Sequence, residues 1–285
     1  MKKRFKIRKI LCMLFVCLVF MISNSFIYEK LSAMADTKED VFSEANAQDE
    51  ELLEHADMQN EEMYTLEDVM EYDSSNINDN EQMSREKTPD ITAFDKDDWK
   101  IILINKQHPI PEDYEFTLAT IKGSMKCDER IIPELQQMMK DAQADGIALV
   151  IRSPYRDYER QIYLFNRKVK AYMKQKMSYL EAYRTTAQAV TIPGASEHQV
   201  GLALDITSNT YSTLTEGFAD TEAGRWLASH SHEYGFILRY PKGKEDLTGI
   251  TFEPWHFRYV GKTAAKYIYD NDLTLEEFTA QVNEQ

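Results

Sequence analysis

The chain has 285 residues, 43% of them hydrophobic, enough to fill the core of one or two domains of ordinary size. Its 33 basic side chains face 48 acidic ones, and a net charge of −15 repels phosphate and excludes nucleic acid as a partner. Cys12 and Cys17 lie in an apolar N-terminal stretch and only Cys127 lies beyond it, which excludes a disulfide framework or a cysteine zinc knuckle within one chain.

The charge is partitioned: residues 1–35 carry a net +6, residues 36–98 a net −18, and residues 99–285 a net −3. Lys2, Lys3, Arg4, Lys6, Arg8 and Lys9 precede an unbroken apolar run from Ile10 to Ile22, and Ala33-Met34-Ala35 supplies a small-x-small cleavage pattern. That is the layout of a secretory signal. Extending the run through Phe26, Ile27 and Tyr28 approaches the roughly 20 residues that span a bilayer, so residues 1–35 are read as a signal peptide or an N-terminal membrane anchor. Either way the basic end stays cytoplasmic and everything after residue 35 is expected outside the membrane, touching it only through this segment.

Residues 36–98 combine dense Asp and Glu with Ser, Asn and Gln, as in Asp49-Glu50-Glu51 and Asp73-Ser74-Ser75-Asn76. Such a stretch repels itself and buries little, so the expectation is an acidic disordered linker, interrupted only by short apolar clusters such as Met63-Tyr64 and Val69-Met70.

From Trp99 to residue 285 the pattern is that of one folded catalytic domain. Ile132, Leu135, Met138, Met139 and Ala142 recur at helical spacing, and Asp145-Gly146 stops that run before a strand at Ile147–Ile151. Asp157 is placed to cap a helix through Gln161, Phe165 and Val169. Ser178 with Glu181, and Thr274 with Glu277, have the spacing of capping boxes. Leu202, Leu204 and Ile206 alternate with Ala203, Asp205 and Thr207, a strand with one apolar face. Trp226 and Leu227 sit on a helix stopped by Gly235, and Phe236–Tyr240 is strand-like. Helices mixed with short strands, without a glycine-rich phosphate loop, point to the α+β class.

Three islands carry chemistry. In Ser196-Glu197-His198-Gln199-Val200-Gly201-Leu202-Ala203-Leu204-Asp205 an imidazole and a carboxylate stand seven positions apart. A straight strand would hold them more than about 20 Å apart, so a turn pivoting at Gly201 must bring them onto one ion. Glu253-Pro254-Trp255-His256 offers another imidazole and another carboxylate. Zinc hydrolases generally use three protein ligands, leave a fourth position for a water whose pKa falls to about 7, and need a further carboxylate for its proton. His198, Asp205 and His256 as ligands with Glu253 as base meet those needs, although spacing alone does not say which carboxylate binds. Each fragment by itself is a weak signal, since a His and an Asp near a glycine usually make a turn or a capped helix. The third island, Arg152-Ser153-Pro154-Tyr155-Arg156, follows the Ile147–Ile151 strand, where an arginine is most often a surface charge.

Ser-Glu-His-x-x-Gly-x-Ala-x-Asp at 196–205 and Glu-Pro-Trp-His-Phe-Arg-Tyr-Val-Gly at 253–261 closely resemble the VanY-type D-alanyl-D-alanine carboxypeptidases. Asn105-Lys106 with Pro109-x-Pro-Glu-Asp-Tyr114, Ser153-Pro-Tyr155-Arg156, and Gly235-Phe-Ile-Leu-Arg-Tyr-Pro241 with Thr248-Gly249 extend the likeness in the same order across about 99–270. The resemblance implies a small α+β zinc peptidase fold with a central antiparallel sheet flanked by helices, shared with VanX dipeptidases and the hedgehog domain. It also implies one Zn2+ per domain held by His198, Asp205 and His256, with Glu253 as catalytic base and Arg156 as the cation at the oxyanion. Ser153, Tyr155, Gln161 and Ser196 are the expected substrate contacts, with Pro154 standing where the family usually has glycine. The implied activity is removal of the C-terminal D-alanine from peptidoglycan stem peptides. L,D-carboxypeptidase action on tetrapeptide stems, a non-catalytic zinc-stabilised wall-binding module and a cross-bridge endopeptidase are the alternatives. His230, His232, His108 and His55 are read as structural or solvated, and Trp255 as packing beneath the site.

Overall fold

A computed structural model describes residues 63–77 and 89–284, all within the compact unit Asn60–Gln285. The expected signal or anchor over residues 1–35 and, within the acidic segment, residues 36–62 and 78–88 lie outside the described residues. No helix among the described residues is long and apolar enough to cross a membrane.

The first described element is the short helix α1 (Leu66–Met70), closed at its start by a capping box between Thr65 and Asp68. The hairpin β1 (Leu118–Lys122) and β2 (Met125–Asp128) follows, and then α2 (Ile132–Ala144). A strand β3 (Leu149–Ser153) leads into the paired helices α3 (Tyr158–Lys174) and α4 (Tyr179–Thr186). Beyond them lie β4 (Ala203–Ser208), α5 (Glu222–His230), β5 (Phe236–Leu238) and the single turn α6 (Glu245–Thr248). The chain closes with β6 (His256–Tyr259), α7 (Lys262–Asp270) and α8 (Leu275–Asn283). The predicted caps form: Asp157 accepts from the Arg160 amide at the start of α3, and Ser178–Glu181 and Thr274–Glu277 close as capping boxes.

The main sheet has four strands in the order β3-β4-β6-β5, every pair antiparallel, as expected from the resemblance. Because β4 has a neighbour on each side and is covered on both faces, all six of its residues are buried. The single apolar face expected from its alternation is therefore incomplete: the second face buries Ala203, Asp205 and Thr207. The strand after α2 is shifted, running Leu149–Ser153 rather than Ile147–Ile151, because Ile147 still donates its amide to Ala142 as the exit of α2.

The core joins the hairpin, α2, the sheet and α5 through residues such as Met125, Leu135, Leu204, Phe218 and Phe257. A second cluster packs α7 and α8 against Ile101 and Ile237, and a third lies between α3 and α4 around Phe165 and Ala182.

The acidic segment departs from its expected disorder at two places. Tyr64 exchanges backbone hydrogen bonds with Ile151 at the free edge of β3, 3.1 and 2.9 Å, adding a one-residue bridge to the sheet. Val69 on α1 is fully buried, and Gln136 on α2 donates to the carbonyls of Val69 and Tyr72. Phe94 further along packs edge-on against Tyr267 and Phe278. Composition averages hide this because a few apolar residues at helical spacing suffice when a core already exists to receive them.

Candidate active site

His198 lies in a 3₁₀ turn, Glu197–Val200, that ends on Gly201 in the left-handed region at φ 70°. A Cβ at Gly201 would meet the Asp128 amide nitrogen at 2.5 Å, so both conformation and space require glycine at this pivot. The turn lets the chain double back from His198 into β4, where Asp205 stands. Asp205 and His256 are directly paired residues of β4 and β6, so strand register alone sets them side by side.

All three are buried, and their donor atoms lie within 4.8 Å of one another, the one His/Cys/Asp/Glu cluster of metal-binding geometry among the described residues. His198 Nε2 is 3.4 Å from Asp205 Oδ1, and His256 Nδ1 is 3.3 Å from the same oxygen. The Nδ1 of His198 sits 2.9 Å from the carbonyl of Pro154, which can only accept, so this nitrogen carries the proton and Nε2 presents its lone pair. His198 Nε2 and Asp205 Oδ1 are buried without any hydrogen-bond partner. Buried orphans of this kind are costly unless something binds them, and two imidazoles with one carboxylate are a zinc hydrolase's donor set. The residues present therefore fit a zinc ion.

Glu253 sits in the loop before β6, held by its amide on the Tyr240 carbonyl, with Oε2 3.6 Å from His256 Nδ1. Burial pushes its carboxyl up to about 8, His256 opposing and Asp205 adding to the rise. Burial and then the Arg156 charge hold His198 down at about 4. His256 goes the other way: burial disfavours its charge, but the Asp205 and Glu197 carboxylates outweigh burial and lift it to about 9. Asp205 is likewise opposed by burial yet stays below the usual carboxylate range because both imidazoles favour its charge. A divalent cation among these groups would lower all four.

A cavity of about 320 Å³ opens onto Asp205, Glu253 and His256, with Arg156 and Tyr240 in its wall and the cations Arg167 and Lys168 of α3 at its side. Arg156 is half-buried, its Nε has no partner, and its backbone amide donates to the His198 carbonyl at 3.2 Å. Of the expected substrate contacts, Ser153, Tyr155, Gln161 and Ser196 are not among the lining residues. Gln161 is fully buried and donates to the Thr191 carbonyl at 2.6 Å, so it holds the cavity wall from behind. Ser196 is buried at the start of the His198 turn, and Tyr155 packs near Phe116. Trp255, expected beneath the site, lines the cavity instead.

His108 bonds to the Asn105 side chain, His230 to the Trp226 carbonyl, and His232 stacks on Tyr269. The residues that sequence reasoning passed over are Tyr240 in the wall and Glu197 with Arg239 and Arg258 behind the site. Their signal was an arginine following or interrupting each of two apolar strands, which has to meet an acid if it is buried.

A family model described as VanY, D-alanyl-D-alanine carboxypeptidase, matches residues 124–262. A D-alanyl-D-alanine carboxypeptidase of Enterococcus faecalis is 40% identical over 185 residues, covering 65% of this chain and 67% of that protein. Among solved structures, the vancomycin-resistance D,D-pentapeptidase VanY of a VanB-type cassette, in a mutant form complexed with Zn(II), is 39% identical with a TM-score of 0.59. That match covers 63% of this chain and 98% of the other. The LD-carboxypeptidase LdcB is 40% identical with a TM-score of 0.54, over 63% of this chain and 85% of that one. With motifs, fold and ligand geometry in agreement, the chain belongs to the VanY family of D-alanyl-D-alanine carboxypeptidases.

Proposed function

We infer that this chain is a zinc-dependent carboxypeptidase that removes the terminal D-alanine from peptidoglycan stem peptides, acting outside the cytoplasmic membrane. The observation that carries the reading is the convergence of His198 Nε2 and His256 Nδ1 on Asp205 Oδ1, where Asp205 and His256 border a cavity that the buried Glu253 also lines. Zinc held by those three atoms would supply a Lewis acid that polarises the scissile carbonyl and acidifies a water.

The chain's own residues supply the rest. Glu253 is placed to accept the water's proton as its oxygen adds to the carbonyl carbon, and burial makes that carboxylate a stronger base than an exposed one. Arg156 faces the same space with an unpartnered Nε and holds the negative charge that gathers on the carbonyl oxygen. When the C–N bond breaks, Glu253 returns its proton to the departing amine, leaving free D-alanine and a stem shortened by one residue. His198, fixed as its Nδ1–H form by Pro154, needs no proton rearrangement to serve as a ligand. An N-terminal signal or anchor over residues 1–35 and an acidic spacer toward the wall suit this substrate.

L,D-carboxypeptidase action on tetrapeptide stems is the second reading, favoured by the equal identity to an LD enzyme. Digestion of purified pentapeptide and tetrapeptide stems, weighed by mass spectrometry with and without a chelator, separates the two. Loss of D-alanine from the pentapeptide alone is expected. Loss only from the tetrapeptide would assign the L,D activity, and loss from neither would favour a binding module.

A further inference from the structure

Behind the ligand set lies a buried ionic array that no step above uses. Glu197, one residue before His198, is 1% exposed, and its Oε1 accepts from Arg239 Nε at 2.7 Å and from Arg258 Nη1 at 2.9 Å. Both arginines are fully buried. Arg239 turns its other two nitrogens onto Glu276 of α8 in a bidentate pair at 2.9 and 2.7 Å, and Asn105 donates to the same carboxylate. Arg258 is further tied to the carbonyls of Lys100 and Ile102. The array thus anchors Glu197 to residues 100–102, to the residue after β5, to β6 and to the last helix.

The second oxygen of Glu197 has no hydrogen-bond partner. It faces His256 Nε2 at 3.6 Å, and that nitrogen is also buried without one. The other neighbours of the ring are two aromatic rings, Tyr240 at 4.7 Å between centroids and His198 edge-on at 4.9 Å, and two carboxylates, Asp205 and Glu253, both on the Nδ1 side. An imidazole bound to a metal through one nitrogen keeps its proton on the other, and that N–H needs an acceptor. Glu197 Oε2 is the acceptor this ring can reach.

We propose that Glu197 is a positioning residue for the metal: its carboxylate takes the Nε2–H of His256, and so turns Nδ1 toward Asp205 and Glu253 as the donor atom. The counter-reading is that Glu197 only neutralises two buried arginines. The inference rests on the zinc reading above, deepens it, and parallels the Pro154 carbonyl, which does the same for His198 from the opposite side. One ligand is oriented by a neutral carbonyl and the other by a carboxylate braced on two cations, and an anionic partner raises the basicity of the ligand it orients.

Long-range ¹⁵N–¹H NMR of histidine-labelled, zinc-loaded wild-type protein is the first test. The proton of His256 is expected on Nε2, and a proton on Nδ1 overturns the proposal without any variant being made. Next, Glu197→Gln and Glu276→Gln are compared by zinc competition against a chromophoric chelator. Glu197→Gln is expected to weaken zinc by about 10- to 100-fold. Glu276→Gln, which disturbs the same Arg239 from its far end, is expected to lower thermal stability with zinc affinity within twofold of wild type. Equal zinc affinity in wild type and Glu197→Gln overturns the positioning role alone. A wild-type chain that binds no zinc overturns the functional reading and this inference with it. Should Glu197→Gln fail to fold, the wild-type NMR result decides.

Discussion

Glu253 Oε2 and His256 Nδ1 lie 3.6 Å apart across a buried corner that opens onto the cavity, three positions apart in the sequence on the approach to β6. The short spacing couples the proposed base to a proposed ligand. Glu253→Gln keeps the shape and removes the proton acceptor, so kcat is expected to fall by about 10²- to 10⁴-fold. Bound zinc should stay at one per chain. Metal analysis alongside steady-state release of D-alanine checks both, and undiminished turnover would remove Glu253 as base.

Zinc binding should release protons, and the groups involved follow from the site's electrostatics. At pH 7 His198, held at about 4, is already neutral and gives up nothing, whereas His256, lifted to about 9, must lose a proton to bind through Nδ1. Glu253 at about 8 is mostly protonated and gives up a further share when the cation lowers it. Between one and two protons are therefore expected per zinc at pH 7. Apparent affinity should rise about tenfold or more per pH unit and level off above pH 9. Calorimetry in buffers of differing ionisation enthalpy measures the count directly, and zero release would contradict the assigned charges.

Arg156 is the one arginine of the cavity wall whose backbone is tied to a proposed ligand residue, through the His198 carbonyl. Arg156→Ala should lower kcat by about 10²- to 10³-fold, the loss seen when one oxyanion donor is removed. Zinc content should hold. An effect confined to KM would instead assign Arg156 to ground-state binding of the peptide.

Residues 63–77 behave as part of the domain. Val69 is fully buried against α2 and the hairpin core, so Val69→Ala should cost about 2 kcal/mol in denaturant unfolding through lost burial and a residual cavity. Gln136→Ala should act on the same contact, since Gln136 holds the Val69 and Tyr72 carbonyls, and the double variant should cost less than the sum. Full additivity would mean that α1 and α2 do not act as one unit.

Much of this protein was legible in the residues themselves. Caps at Asp157, Ser178 and Thr274, the helix after Pro133 and the pivot at Gly201 are local: a side chain and a backbone amide within four residues, or a φ that only glycine adopts cheaply, determine them. The motifs around His198 and Glu253 named the ligand types for the same reason, since metal chemistry restricts which side chains serve. What only the tertiary structure decided is which distant groups meet. The register of β4 against β6 sets Asp205 opposite His256, and burial of β4 on both faces hides polar residues that alternation alone places on an outer face. Gln161 went behind the cavity wall, Tyr64 and Val69 left the acidic segment for the core, and Glu197 found one arginine just past β5 and another on β6. None of these is a short-range event. Each depends on desolvation and on loop closure between remote stretches, quantities that exist only once the chain has packed.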